Sequence, residues 1–285
     1  MKSPRMHLLA LLAALALATT ACESDGTSLA RAPGGGSDPA NPGIPGAPAD
    51  PGTPPETPRA YTTAALLFNG SGAWTSEVAN LKTVLSSHGL SYKEVTSAQV
   101  SAMTVDEMAS YGMFVWPGGS GTQMLSSLNG ETRKRIRSAV VDRGVGFVGF
   151  CAGAFLAVSP APSGTSAPAY FSLIPAPILD YYYLENQGVT WDMTTYTFAD
   201  GSRKDIVWYG GPVTPDIQGG VVAKYPTGEP AITQFRSGKG FVIVSGGHPA
   251  SPDLGIGDTD GVDLDIAWLL LNATLSGKPL PAFGD

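Results

Sequence analysis

The chain has 285 residues, enough for one large domain or two small ones, and its 43% hydrophobic content can supply a sizeable core. Its formal net charge is −7, and no Lys/Arg-rich stripe runs along it, which argues against binding to nucleic acid. The densest basic stretch, "ETRKRIR" at 131–137, has the spacing of the solvated face of a helix.

The N-terminus has the layout of a secretory signal peptide, which we place at residues 1–21. A short basic start precedes an apolar run over 8–18 that is too short to span a bilayer. The small residues that follow end at Cys22 in a pattern that resembles bacterial lipoproteins. We therefore expect Cys22 to carry a lipid and the chain to be exported to the cell envelope. Glu23 fits sorting to the outer membrane, and a plain signal-peptidase cut after Ala21 is the alternative.

Residues 22–59 are almost all Pro, Gly, Ala, Ser and acidic residues, and they contain nothing able to form a core. We interpret them as a disordered tether that leads to a folded domain over 60–285. At about 3 Å per residue, the tether would hold that domain up to roughly 100 Å from the membrane. Loss of the signal peptide removes two basic residues, so the net charge would move from −7 to about −9.

The first half of the predicted domain alternates between apolar strands and helices. The predicted strands are 64–68, 91–95, 112–116 and 145–150, and the predicted helices are 75–89, 131–144 and one that begins at Ala152. This alternation, with continuously apolar strands, predicts an α/β fold in which helices cover a parallel sheet on both faces.

The second half is rich in predicted β-structure. Strands are predicted at 178–184, 189–198, 205–210, 220–225, 231–235 and 240–245, followed by a last helix over 262–275. One α/β domain with a β-rich second half is the simplest interpretation of the whole pattern.

Three glycine-rich loops follow predicted strands and should meet at the carboxyl edge of the sheet, where parallel sheets bind ligands. They are "PGG" at 117–119, "CAG" at 151–153 and "GGHP" at 246–249. The run from Gly149 to Gly153 has the Gly-x-nucleophile-x-Gly form of a nucleophile elbow, a turn too tight for larger side chains.

Cys151 stands at the centre of this elbow, where the N-terminus of the following helix would favour a thiolate. The backbone N–H of Ala152, with one from Gly118 or Gly119, is predicted to form an oxyanion hole. A cysteine in such an apolar run can also be simple core packing.

A nucleophilic cysteine needs a base, and the chain has three histidines. His7 belongs to the signal peptide, and His88 ends the first predicted helix, where capping is the ordinary role. His248 follows a late strand in a glycine-rich loop. We therefore predict that Cys151 and His248 pair in space. The alternative is that His248 has only a structural role.

No cofactor or metal is predicted. With Cys22 at the N-terminus, Cys151 is the one thiol of the folded part, so neither an intradomain disulfide nor a CxxC metal site can form. The aspartate-rich stretch 257–265 does not follow the spacing of an EF-hand, and acidic residues before a helix explain it more simply.

The stretches "VWPGGSG", "GFVGFCAGAFLA" and "VIVSGGHPASP" resemble the flavodoxin-like fold of class I glutamine amidotransferases. They look most like the version found as the N-terminal domain of biotin–protein ligases, and "FNGSGAW" and "DIVWYGGP" add to the likeness over about residues 62–272. The resemblance implies that Cys151 is the nucleophile and His248 the base. It also implies an oxyanion region at Gly118, Gly119 and Ala152.

The sequence departs from the amidotransferase triad at one position, because His-Pro-Glu is replaced here by His-Pro-Ala, with Ala250 in place of the orienting acid. Five aspartates are candidates for a replacement acid, but none has the right spacing: Asp180, Asp253, Asp258, Asp260 and Asp263. Loss of such an acid costs up to about 10⁴-fold in other triads, yet a dyad can suffice for a thiol.

Three functions remain open. The chain contains no glycine-rich, Lys-containing phosphate loop, so biotin ligation is excluded, and export would separate the domain from a partner synthase. The first reading is a cysteine hydrolase of amide or peptide bonds, with a small molecule or peptide as substrate. The second is a non-catalytic binding module, and the third is a redox-responsive thiol protein.

Overall fold

The structure is a computed structural model that describes residues 59–158, 170–174, 179–251 and 263–284. Its strands are β1 (Thr63–Phe68), β2 (Tyr92–Val95), β3 (Tyr111–Trp116), β4 (Gly146–Phe150), β5 (Trp191–Phe198), β6 (Arg203–Tyr209), β7 (Val221–Lys224), β8 (Pro230–Ser237) and β9 (Gly240–Ser245). Its helices are α1 (Thr75–Ser87), α2 (Ser97–Ala102), α3 (Val105–Ala109), α4 (Gly121–Ser126), α5 (Gly130–Val141), α6 (Ala152–Val158), α7 (Tyr183–Asn186) and α8 (Leu264–Ser276).

The strands of the described residues form one nine-stranded sheet in the order β2-β1-β3-β4-β9-β8-β7-β5-β6. The first five strands of that order are parallel, and the remaining pairings are antiparallel. The predicted fold class is therefore confirmed, with a parallel half flanked by helices and an antiparallel extension from the second half of the chain.

The core lies on both faces of the parallel half. Successive residues of a strand point to opposite faces, so β3 and β4 can be buried at every position only if both faces are covered. One face packs Leu67, Met113 and Val148 against α1 and α8. The other packs Phe114 and Phe147 against α5 and α6.

Three short helices, α2, α3 and α4, were not predicted, because each is too short to show a hydrophobic period. Capping boxes at Thr96–Gln99 and Thr104–Glu107 define the first two. The predicted strand over 178–184 is wrong in the described part of that stretch. Tyr181 forms only an isolated bridge with Pro212, and α7 then begins.

Several predicted features lie outside the described residues. They are the signal peptide over 1–21, the lipidation site Cys22, the tether up to its last residue, and Asp253, Asp258 and Asp260. Among the helices that are described, none has both the length and the apolar character needed to cross a membrane.

Candidate active site

Cys151 lies at the predicted strand-to-helix turn, between β4 and α6. Its φ angle is +44°, in the left-handed region that few non-glycine residues adopt, which costs of order 1–3 kcal/mol. A Cβ on Gly149 would come within 2.6 Å of the Gly153 backbone, and one on Gly153 would come within 2.5 Å of the Trp116 carbonyl oxygen. Both glycines are therefore required by the close approach of the backbone, as expected for a nucleophile elbow.

Backbone groups from two other strands hold Cys151. Its N–H donates to the carbonyl of Ser245, at the end of β9, over 2.8 Å. Its Sγ donates to the carbonyl of Tyr209, at the end of β6, over 3.3 Å. The residue is fully buried, so the thiol lies under the surface where three strands end.

His248 lies three residues beyond β9, at the same carboxyl edge of the sheet as Cys151. Its N–H donates to the carbonyl of Val207 over 2.8 Å. Its Nδ1 lies 3.3 Å from each carboxylate oxygen of Glu77, and both side chains are buried, at 1% and 0% exposure. The edge of the imidazole meets the Trp74 ring, with 5.1 Å between the ring centroids.

Glu77 stands in the first turn of α1, where the helix N-terminus favours a negative charge. Its Oε2 accepts the Gly118 N–H over 2.6 Å, so one carboxylate contacts both the imidazole and the loop after β3. One turn later, the Asn80 amide donates to the Ala250 carbonyl over 2.9 Å and ties α1 to the histidine loop.

The carboxylate against His248 therefore comes from α1, and sequence reasoning missed it because it considered only aspartates as the replacement acid. The position carried a signal, because Glu77, Leu81 and Val84 have the i, i+4, i+7 spacing of the buried helix face. An acidic residue on the apolar stripe of a helix has to find a buried partner. Of the five aspartates expected as candidates for this role, Asp180 and Asp263 lie in the described residues.

One of the expected oxyanion donors has a partner in this structure, because the Gly118 N–H donates to Glu77 over 2.6 Å. The oxyanion role of Gly118 stays a prediction. A Cβ at Gly118 would lie 2.7 Å from Nδ1 of His248, so the glycine is needed for the histidine to pack. Gly119 has a φ of +135°, and Ala152 is the first residue of α6. The oxyanion role predicted for these two residues stays a prediction.

Aromatic rings extend outward from the histidine. The Trp74 and Tyr209 rings lie 5.7 Å apart between centroids, and Tyr209 pairs directly with Trp191 across β5 and β6. Directly opposed residues of antiparallel strands point to the same face. Trp74, Tyr209 and Trp191 form what we call the aromatic strip, and Trp191 is 41% exposed.

Three buried tyrosines lie on the other side of the histidine loop. The Tyr225 ring stacks on Tyr182 at 3.8 Å and meets the edge of Tyr196 at 5.0 Å. Burial raises the pKa of Tyr196 and Tyr225 far above the usual range and that of Tyr182 to about 12. A Cβ on Gly247 would collide with the Tyr196 hydroxyl, which explains a glycine just before His248.

Nothing in the described part of the chain groups three or more His, Cys, Asp or Glu side chains closely enough to hold a metal ion. The site therefore consists of a cysteine on a strained turn, a histidine against a buried carboxylate, and an aromatic strip beside them.

The sequence profile of the family described as "Biotin-protein ligase, N terminal" matches residues 63–207, just over half of the chain. The chain belongs to this family. The matched region runs from β1 into β6, so it includes Glu77, Gly118 and Cys151, while His248 lies beyond its end.

Solved structures agree with this assignment at the level of the fold. A glutamine amidotransferase is 18% identical, with 73% of this chain and 98% of that chain covered and a TM-score of 0.49. A cytoplasmic protein from Salmonella typhimurium is 13% identical, with 74% and 98% covered and a TM-score of 0.50. No curated protein has significant sequence similarity to the chain. This member of the biotin–protein ligase N-terminal family is thus similar in fold to the Salmonella typhimurium protein.

Proposed function

We propose that this family member is a cysteine hydrolase of amide or peptide bonds, in which Cys151 is the nucleophile, His248 the base and Glu77 the carboxylate that orients the base. The observation that carries the proposal is the buried contact of His248 Nδ1 with Glu77, at the same carboxyl edge of the sheet as a cysteine on a strained elbow. A buried carboxylate against an imidazole, at the same sheet edge as a nucleophile elbow, is typical of functional sites.

The proposed mechanism follows from which imidazole nitrogen faces the acid. With Glu77 ionised, Nδ1 carries a proton and donates it in the hydrogen bond, which leaves the Nε2 lone pair to act as base. Nε2 takes the thiol proton, and the thiolate attacks the carbonyl carbon of the substrate. The tetrahedral intermediate collapses as Nε2 returns the proton to the leaving amine, and a water molecule then hydrolyses the thioester by the same proton route.

A mild thiol alkylator, applied to the folded chain across pH, tests the pair. A free cysteine titrates near 8.5, and a cysteine paired with histidine well below that value. We expect fast labelling of Cys151 with a midpoint well below 8.5, and His248→Ala should move that midpoint upward. Labelling that appears only after denaturation would overturn the hydrolase.

Full burial of Cys151, with its Sγ donating to the Tyr209 carbonyl, favours a second candidate, a binding module without chemistry. The same labelling experiment separates the two, because a packed thiol reacts with neither a low midpoint nor a dependence on His248. Burial of Cys151 argues against the third hypothesis, a redox-responsive thiol protein, since redox-responsive thiols are exposed.

We also propose that the chain is exported and anchored through a lipid on Cys22, which rests on the signal-like layout of residues 1–21. Expression of the full chain and of Cys22→Ser, followed by separation of membrane and soluble fractions, tests this. The unaltered chain should sediment with membranes and the variant should not. Equal distribution of both would favour plain secretion or no export.

A further inference from the structure

A cavity of about 340 Å³ lies at the amino edge of the sheet, opposite the edge that holds Cys151. It opens where β3, β4 and β9 begin and where α5 and α8 end. Among the described residues, its lining includes four of the chain's 17 Lys and Arg residues, namely Arg59, Arg143, Arg236 and Lys239, and no Asp or Glu. In an acidic protein, four cations around one cavity need an explanation.

Two of these cations are fixed by the fold. The Arg59 guanidinium donates to the carbonyls of Ala109 and Tyr111 at the start of β3. The Arg236 guanidinium donates to the Gly277 carbonyl over 2.8 Å and lies 4.9 Å from the centre of the Phe241 ring. Burial lowers the pKa of both guanidiniums, as expected for cations held partly away from water.

The other two cations are exposed. Arg143 contacts Asp106 at 2.5 Å in an ion pair whose members are both exposed, so the pairing contributes little to stability. Lys239 stands close to Arg59, because its Cβ and the Arg59 Cδ each lie 3.4 Å from the point where a Cβ of Gly144 would stand.

The negative groups around the cavity do not balance these four charges. The C-termini of α5 and α8 face it, and each helix terminus carries roughly half a negative charge. Together with Asp106 they supply about two negative charges. About two positive charges remain, which is the charge of a phosphate monoester dianion.

We propose that this cavity binds a phosphate-bearing anion. Guanidinium groups match phosphate oxygens in geometry, and those of Arg59 and Arg236 are already held in place. The volume of about 340 Å³ is at the small end of ligand pockets, which suits a headgroup or small phosphorylated molecule. The site is separate from the elbow, so it does not depend on the proposed hydrolase.

Two kinds of molecule carry such a phosphate group, namely a soluble phosphate compound and an anionic phospholipid, which presents it in its headgroup. Arg59 is the last residue of the predicted tether, so the cavity lies at the point where the chain from Cys22 enters the domain. Because the lipid anchor is proposed on Cys22, the test includes an anionic vesicle as well as inorganic phosphate.

The test measures thermal unfolding of the full chain at low salt as inorganic phosphate is added. We expect a saturable rise in Tm that added sodium chloride weakens. The double variant Arg143→Gln/Lys239→Gln leaves the two structural guanidiniums intact and should weaken the apparent affinity roughly tenfold or more. Lys82→Gln/Lys134→Gln removes the same charge from exposed ion pairs elsewhere and should bind like the unaltered chain.

The vesicle arm uses the Cys22→Ser chain with phosphatidylglycerol and phosphatidylcholine vesicles. Binding to the anionic vesicles alone, lost in Arg143→Gln/Lys239→Gln, supports a lipid headgroup as the source. A phosphate response without vesicle binding supports a soluble ligand. The proposal is overturned if Tm shows no saturable response, or if the control variant weakens it as much as the cavity variant does.

Discussion

His248 Nδ1 lies 3.3 Å from both carboxylate oxygens of Glu77, although 171 positions separate the two residues. The acid belongs to the first helix and the histidine to the loop after the last strand, and the central strands β3, β4 and β9 bring them together. A triad acid need not follow its histidine in sequence, because only the geometry at the imidazole matters.

The first prediction concerns Glu77→Gln, which keeps the size of the side chain and removes its charge. Without the carboxylate, the imidazole loses the group that fixes its tautomer, and kcat/KM should fall by about 10² to 10⁴. The pH midpoint of Cys151 alkylation should move toward 8.5. Glu107→Gln, in an exposed capping box, is the matched control and should leave both kcat/KM and the pH midpoint of alkylation unchanged. Unaltered labelling of Glu77→Gln would show that the contact with His248 is structural only.

The second prediction concerns Gly118→Ala. The added Cβ would stand 2.7 Å from Nδ1 of His248 and 3.0 Å from Oε2 of Glu77, so the pair must shift. We expect a loss of about 1–3 kcal/mol in the free energy of unfolding, measured with denaturant, and slower labelling of Cys151. Gly121→Ala is the control, because its Cβ would make only ordinary contacts at 3.6 and 3.8 Å. Equal stability of both variants would contradict the close packing at Gly118.

The third prediction concerns the aromatic strip. Trp191 is 41% exposed, so Trp191→Ala should change the free energy of unfolding by less than about 1 kcal/mol. If the strip holds the substrate, KM should rise about tenfold with kcat unchanged, since a contact made equally in the ground state and the transition state does not alter the chemical step. Leu269→Ala, 40% exposed on α8, should leave KM unaltered. A fall in kcat alone would argue against a binding role for Trp191.

The fourth prediction compares two buried tyrosines. The Tyr225 hydroxyl donates to the Pro212 carbonyl over 2.8 Å. The Tyr196 hydroxyl approaches that of Tyr225 but forms no hydrogen bond of good geometry within the described residues. Tyr225→Phe leaves a buried carbonyl without its donor and should cost about 1 kcal/mol more than Tyr196→Phe. Denaturant unfolding of both variants measures the difference, and equal costs would contradict it.

The fifth prediction concerns alkaline pH. Burial raises the pKa of Tyr182 to about 12 and raises those of Tyr196 and Tyr225 well above the usual value, whereas an unfolded tyrosine titrates near 10. The unfolded state therefore loses protons first as pH rises, so this contribution to stability is complete below pH 10 and declines above it. The decline should be shallower in Tyr196→Phe, whereas Tyr61→Phe, at an exposed position, should match the unaltered chain. Parallel pH profiles for all three chains would contradict the prediction.

The parallel half of the fold could be predicted because most of its strands, such as β3 and β4, are continuously apolar. Its long helices, such as α1 and α5, also show a clear hydrophobic period. The elbow at Cys151 was also predictable, since the spacing of Gly149 and Gly153 reports a tight turn directly. Local signals of this kind need no knowledge of the tertiary structure.

The partner of His248 was not predicted. The spacing of α1 marks Glu77 as a buried acid, but no local pattern identifies a partner that lies 171 positions away. The use of the Gly118 N–H by Glu77 was missed for the same reason. The stretch around Tyr182 was misassigned as a strand, because its aromatic composition favours β-structure while the ring packs on Tyr225. In each case tertiary contacts decide the outcome.

The position of β9 in the sheet has a consequence for how the chain acquires its structure. β9 is the last strand to be synthesised, yet it lies between β4 and β8 near the middle of the sheet. Until residue 245 has left the ribosome, β4 presents an open edge, and the antiparallel half has nothing to dock on. Assembly is therefore dominated by contacts between distant segments, and the sheet closes only after nearly the whole chain has emerged.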